Sequence, residues 1–145
     1  MTRVSREVLN RFVREAVDAL NEVKSIISMS VDEFLADRRA RFSLRYCVVV
    51  IVEALADLSV TILEKDFNDA AESYREAFLK LASHKVASLD TCSSMAKLAS
   101  LRNQVIHRYW AIDDLRIYRE AKEGGVEAVE RFIKEVEEYV KAKDP

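Results

Sequence analysis

Arg102, Asn103, His107 and Tyr109 fall in one short run, Leu101-Arg-Asn-Gln-Val-Ile-His-Arg-Tyr-Trp110. A guanidinium can grip a phosphate through paired N–H donors, and an imidazole can give or take a proton near neutral pH. On an α-helix, with Arg102 taken as zero, Asn103 points to about 100°, His107 to about 140° and Tyr109 to about 340°. The four polar groups then share about half of the cylinder, and Asn103 and His107 stack as an i, i+4 pair. Leu98, Leu101 and Val105 cluster on the other side, between about 260° and 320°. One helix can therefore bury an apolar stripe while presenting a cation, an amide, an imidazole and a phenol. Those are the parts needed to hold a phosphate and move protons beside it. The same residues also suit an ordinary solvated helix face, because a lone Arg-x4-His match arises often by chance.

Two carboxylates, Glu53 and Asp57, lie i, i+4 within the most apolar part of the chain. Buried carboxylates need partners. Either they pair with arginines and fix packing, or one of them orients Arg102 or His107. The net charge of −2 exerts no general pull on nucleic acid. Two local basic patches are candidates: Arg38, Arg39, Arg41 and Arg45, and Arg102, Arg108, Arg116 and Arg119. Each also fits plain solvated surface. Cys47 and Cys92 stand far apart in apolar helical patterns, with no CxxC or HExxH, so the expectation is two buried thiols and no metal. His84 reads as a cation at a helix end or a surface residue.

The elements that must position these groups read as helices. The chain has 145 residues, half of them hydrophobic and a third charged, with 2 Gly and a single Pro, the last residue. That suits one soluble domain over residues 1–145, all-α, with short connections. Val4, Val8, Phe12, Ala16, Leu20, Val23 and Ile27 mark a first helix over about 3–28. Ser30 with Glu33 has the form of a capping box, with Phe34 in a short turn after it. Asp37 caps a second long helix to about 65, whose centre, Val48 to Val52, is apolar nearly all round and so is deeply buried or at a subunit interface. A third helix runs over about 69–83, with Tyr74, Ala77, Phe78 and Leu81 as its inner stripe. Ser88 caps a fourth over about 89–109, carrying the Arg/His run. Asp113 caps a fifth to about 123, which Gly124-Gly125 stops, and Val126 to Val140 mark a sixth. The result is an up-and-down bundle of five to six helices. The longest apolar run, Cys47 to Val52, is far too short to span a bilayer, and the charged N-terminal segment does not read as a signal peptide. The expected location is cytoplasmic, with no membrane partner.

Taken together, Leu101-Arg-Asn-Gln-Val-Ile-His-Arg-Tyr-Trp-Ala-Ile-Asp113, Ser73-Tyr-Arg-Glu-Ala-Phe78, Glu53-Ala-Leu-Ala-Asp57 and Glu33-Phe-Leu-Ala-Asp-Arg38 resemble the HepT-like branch of HEPN domains. The resemblance covers nearly the whole chain in the right order. The chain departs from it twice. Asp66-Phe-Asn-Asp-Ala-Ala-Glu72 replaces a Gly/Pro-containing turn, which suggests a helical connection, and Ser59 to Thr61 stand where many relatives have a His. The resemblance implies a bundle of HEPN type and a metal-independent endoribonuclease acting as toxin of a type VII toxin–antitoxin pair. It also implies a homodimer with both motifs facing one basic cleft, no cofactor, and a small MntA-type nucleotidyltransferase as antitoxin, which silences the nuclease by transferring AMP to Tyr109.

The residues suit that chemistry. RNA brings its own nucleophile, the ribose 2′-OH. His107 supplies acid or base, Arg102 grips the phosphate and stabilises developing charge, and Asn103 orients the imidazole or the phosphate. One motif offers one His, and a homodimer offers two. The alternatives are a non-catalytic HEPN adaptor that docks a nucleotidyltransferase, and a plain helical interaction module. Neither needs Arg102, His107 and Tyr109 together.

Overall fold

A computed structural model describes residues 2–143. Each α-helix but the last starts where a short polar side chain takes up a free N–H of the first turn. Ser5 accepts from Val8 N–H at 3.1 Å to begin α1, Arg6–Ile27. Ser30 and Glu33 complete both halves of the capping box, and Phe34 lies in a six-residue helix, α2, Val31–Ala36, rather than in a turn. Asp37 accepts from Ala40 N–H at 3.1 Å and starts α3, Arg38–Phe67. Ser73 caps α4, Tyr74–Ser83, and Ser88 caps α5, Leu89–His107. Asp113 caps α6, Asp114–Glu120, which leads to α7, Val126–Lys143. No strand occurs among the described residues. The fold is an all-α up-and-down bundle.

α3 is its axis. α1 lies along it, α4 and α5 pack on it and on each other, and α7 closes against α1 and α5. The ends of three helices are tied at Asp66, near the end of α3. Its carboxylate accepts from Thr2 Oγ1 at 2.7 Å, Arg3 N–H at 2.7 Å and the Tyr139 hydroxyl at 2.7 Å. The start of α1 and the end of α7 therefore both meet the end of α3, which sets α1 and α7 antiparallel to each other. The Val48–Val52 stretch lies in this core, with Val48, Ile51 and Val52 buried. α3 is long and apolar enough to cross a bilayer, but 61 % of its most apolar window is covered by the bundle. That is the pattern of a core helix.

Three boundaries differ from the sequence reading. The connection before α4 is not helical: Asn68 takes a left-handed backbone, φ 47, and the chain stays irregular to Ser73. Gly124-Gly125 does not stop the chain. A wide turn over Ala121–Gly125 kinks it straight into α7, with Gly124 at φ 139 and Val126 N–H reaching back to Ala121 C=O. A side chain at Gly125 would stand 2.7 Å from the Glu120 carbonyl oxygen, so only glycine passes there. The third boundary is the end of α5, and it bears on the site.

Candidate active site

α5 buries Leu101 and Val105, as its apolar stripe requires, and this fixes where its polar residues go. Arg102 lies across α3 and α4. Its Nη1 donates to the Asn103 Oδ1 at 3.1 Å. Its Nη2 faces the Glu53 Oε2 at 3.6 Å, too long for a firm hydrogen bond. Its guanidinium carbon sits 5.1 Å from the centre of the Tyr74 ring. The side chain is 17 % exposed, and its Nε is covered, with no hydrogen-bond partner among the described residues. The charge is thus held on three sides by an amide oxygen, a loosely placed carboxylate and an aromatic face. None of these neutralises it as a paired fork would.

Glu53 and Asp57 are not buried. Glu53 is 39 % exposed and Asp57 is exposed, because the α3 face that carries them is left uncovered by the other helices. Glu53 faces Arg102 directly. Asp57 reaches it only through Tyr74, whose hydroxyl donates to Asp57 Oδ1 at 3.2 Å. Burial, with Asp57 next, pushes the Tyr74 phenol above its usual range, so it stays a donor.

His107 is the last residue of α5 and is exposed. Arg108 N–H closes the helix on Gln104 C=O at 2.9 Å, then Arg108 leaves helical geometry at φ −132, ψ 43. Among the described residues the imidazole makes no hydrogen bond or ion pair. Tyr109–Ala111 form a separate 3-10 turn. The helical projection that put Tyr109 on the Arg102 side therefore does not apply. Tyr109 stands 71 % exposed beyond the helix end, edge-on to Trp110 with ring centres 5.2 Å apart. Arg102, Asn103 and His107 share α5 as expected, and Tyr109 follows His107 on the turn.

The basic patches divide. Arg45 makes a two-pronged contact with Asp114, Nε–Oδ1 2.7 Å and Nη2–Oδ2 2.6 Å, and Arg41 adds a contact at 3.5 Å. Arg38 and Arg45 flank the Phe42 ring at 5.0 and 4.8 Å. Arg41 and Arg45 are thus committed to tying α3 to α6, and Arg38 and Arg39 stay exposed. Arg116 pairs with Glu120 at 3.2 Å and donates to Gln104 at 3.3 Å. Arg108 and Arg119 are exposed. Both cysteines are buried free thiols, and burial pushes Cys92 up to about 11. The residue that sequence reasoning missed is Tyr74, taken only as part of a core stripe. The signal was its place on the helix packed against α3, facing a pair of carboxylates one turn apart.

An all-α bundle with Arg-Asn-x3-His at the open end of one helix has the form of a HEPN domain. The Ribonuclease HepT-like family model matches residues 16–136, and the chain belongs to that family. Among solved structures it resembles YutE from Bacillus subtilis, a cytosolic protein of unknown function, with TM-score 0.84 and 17 % identity over 99 % of this chain and 96 % of that one. It also resembles the tri-AMPylated HEPN toxin of Shewanella oneidensis in complex with MNT antitoxin, with TM-score 0.83 and 18 % identity over 92 % and 99 %. A toxin–antitoxin structure with AMP-PNP matches at TM-score 0.79 and 18 % identity over 91 % and 99 %. No curated protein matches the chain.

Proposed function

We propose that the chain is a metal-independent endoribonuclease, the toxin of a type VII toxin–antitoxin pair, acting in the cytoplasm. The observation that carries this reading is an incompletely neutralised Arg102, held by three elements, with an exposed His107, unpaired among the described residues, five residues along the same helix. In the reaction the 2′-OH loses its proton to a base and attacks phosphorus. The new O2′–P bond forms as the P–O5′ bond breaks, leaving a 2′,3′-cyclic phosphate and a 5′-hydroxyl. Arg102 meets the charge that grows on the phosphoryl oxygens. His107 moves one proton, and Asn103, already bonded to Arg102, keeps the guanidinium turned toward the phosphate.

Two protons move and each chain brings one such His, so the working unit is a homodimer. The uncovered face of α3, with Phe42 44 % and Tyr46 69 % exposed and Val49 and Val50 half-covered, supports a symmetric contact. An MntA-type nucleotidyltransferase is the antitoxin. The Tyr109 oxygen attacks the α-phosphorus of ATP and pyrophosphate leaves. The exposure of Tyr109, two residues from His107, supports it as acceptor, and the added phosphate would bring negative charge and bulk to the His107 end of the site.

The test is cleavage of end-labelled RNA by the purified chain, with and without chelator. Cleavage that survives chelation and disappears in His107→Ala is the expected result. Cleavage that requires added Mg²⁺ overturns the mechanism, and RNA left intact by a chain that still binds a nucleotidyltransferase favours the adaptor reading. Sedimentation is expected to give a dimer; full activity from a stable monomer counts against the shared cleft. Intact mass after co-expression with the antitoxin is expected to rise by AMP units in wild type and not in Tyr109→Phe.

A further inference from the structure

The Arg102 side chain is packed in a way that its proposed task alone does not explain. A long, flexible guanidinium would be expected to sample several rotamers at a surface. Here it lies over the Tyr74 ring at 5.1 Å, with its Nε covered and unpartnered. The covered Nε is a desolvation cost that nothing in hydrogen bonding returns. What offsets it is the aromatic face, since a cation over a ring is attracted to the ring's negative centre more strongly away from water. The ring is itself fixed. Tyr74 is the first residue of α4, which Ser73 caps by accepting from Glu76 N–H at 3.0 Å, and its hydroxyl is anchored on Asp57 of α3 at 3.2 Å. Ala77, Phe78 and Leu81 seat α4 in the core behind it.

The geometry points to Tyr74 as a positioning residue for Arg102, a shelf anchored by Asp57 that holds the guanidinium plane for a phosphate arriving from its open edge. This rests on the ribonuclease reading above. Two carboxylates then divide the work. Asp57 acts through Tyr74 and never touches Arg102, whereas Glu53 stands as a loose counter-charge that a phosphate can displace. The shelf fixes one face, Asn103 fixes one nitrogen, and the remaining donors are left for the substrate. A ring without its hydroxyl keeps the face and loses the anchor, and an aliphatic residue loses both.

The test is a double-mutant cycle in the full-length chain. Tyr74→Leu is expected to lower kcat/KM for RNA cleavage by about 30-fold and Tyr74→Phe by about threefold, as loss of a desolvated cation–ring contact and of one hydrogen bond predict. In an Arg102→Ala background Tyr74→Leu is expected to cost nothing further, because the shelf has nothing left to hold. Multiplying losses would show that Tyr74 acts on the fold and not through Arg102, and would overturn the assignment. So would Phe and Leu losing activity equally.

A second readout does not depend on cleavage at all. In chain labelled with ¹⁵N-arginine, the Arg102 Nε–H is expected to exchange slowly with water in wild type and in Tyr74→Phe, and at least tenfold faster in Tyr74→Leu. An unchanged rate in Tyr74→Leu would end the proposal even if the chain is an active ribonuclease. The expected change in a chain that cuts no RNA would keep the shelf and dismiss the nuclease reading instead.

Discussion

Two clusters in this molecule are built from the same kinds of group, an imidazole, a carboxylate, a cation and an aromatic ring, and they end up chemically opposite. At the C-terminal end of α4, His84 bonds Asp69 through Nε2 at 3.0 Å and stacks on Phe67 with ring centres 4.2 Å apart. Lys80 bonds the other oxygen of Asp69 at 2.9 Å and faces Glu76 at 3.3 Å. Each charge there has an opposite within bonding distance. At the end of α5 the carboxylate stands 3.6 Å from Arg102, the ring lies under the guanidinium, and the imidazole of His107 meets nothing among the described residues. Complete pairing makes a staple that joins the α3–α4 connection to α4. Incomplete pairing leaves guanidinium donors and an imidazole nitrogen available to a ligand.

The largest expected effect comes from exchanging the two histidines' fates. His107→Ala, or Arg102→Ala, is expected to lower RNA cleavage about 10²–10⁴-fold with an unchanged helical circular dichroism spectrum. His84→Ala is expected to keep cleavage within about twofold, since its cluster is already satisfied. Measured side by side at one temperature below both melts, equal losses in the two variants would erase the distinction between staple and site.

Glu53→Gln sharpens the same contrast from the carboxylate side. If Glu53 is a displaceable counter-charge, removing its charge frees Arg102 for the phosphate. RNA binding, read by anisotropy with a 2′-deoxy substrate that cannot be cut, is expected to tighten by about two- to fivefold, the range of an exposed ion pair. The gain should shrink as salt rises. Weaker binding in Glu53→Gln would mean that the carboxylate holds Arg102 in place as a structural partner.

Much of this contrast was legible in the sequence, and the reason is locality. Ser30, Asp37, Ser88 and Asp113 were readable as caps because a cap is decided within three residues of backbone, and all four make the bond. Arg102, Asn103 and His107 were readable as a group because one helix fixes their relation. What escaped depends on other parts of the chain. Nothing in Arg108-Tyr109-Trp110 breaks a helix by type, yet the chain must turn there so that Asp113 can start α6 and Asp114 can reach Arg45. Glu53 and Asp57 read as buried because their neighbours in sequence are, but the face they occupy is the one left uncovered. Gly124-Gly125 has the composition of a stop and serves as a close pass, which only the position of the Glu120 carbonyl reveals.

The staple itself should appear in stability. Removing the His84 ring deletes its stacking on Phe67 and its bond to Asp69. His84→Ala is therefore expected to lose about 1 kcal/mol, a drop in Tm of about 3–4 °C. His84→Phe keeps the stacking and is expected to recover part of the loss. Calorimetry showing His84→Ala within error of wild type would mean that Lys80 alone suffices to hold Asp69.

The smallest effect is confined to acid and tests the pairing of Asp69 directly. Hydrogen bonds from His84 and then Lys80 hold its carboxyl down from the ordinary 3.8 to about 2. A carboxylate whose folded value is depressed binds its proton more readily when unfolded. Its contribution to stability is therefore complete above 3.8 and is lost as pH falls from there toward 2. Asp66 and Glu135 are also held low by their own bonds, so wild type will lose stability in acid for several reasons at once. The informative quantity is the difference between wild type and Asp69→Asn, followed by urea melts at steps of pH. The variant is expected to be the less stable at neutral pH, and the gap is expected to close between about pH 4 and pH 2. A gap that stays constant down to pH 2 would show that Asp69 holds the connection by shape and not by charge. RNA cleavage at neutral pH is expected to be the same in Asp69→Asn as in wild type, because the His84 cluster and the Arg102–His107 end share no side chain.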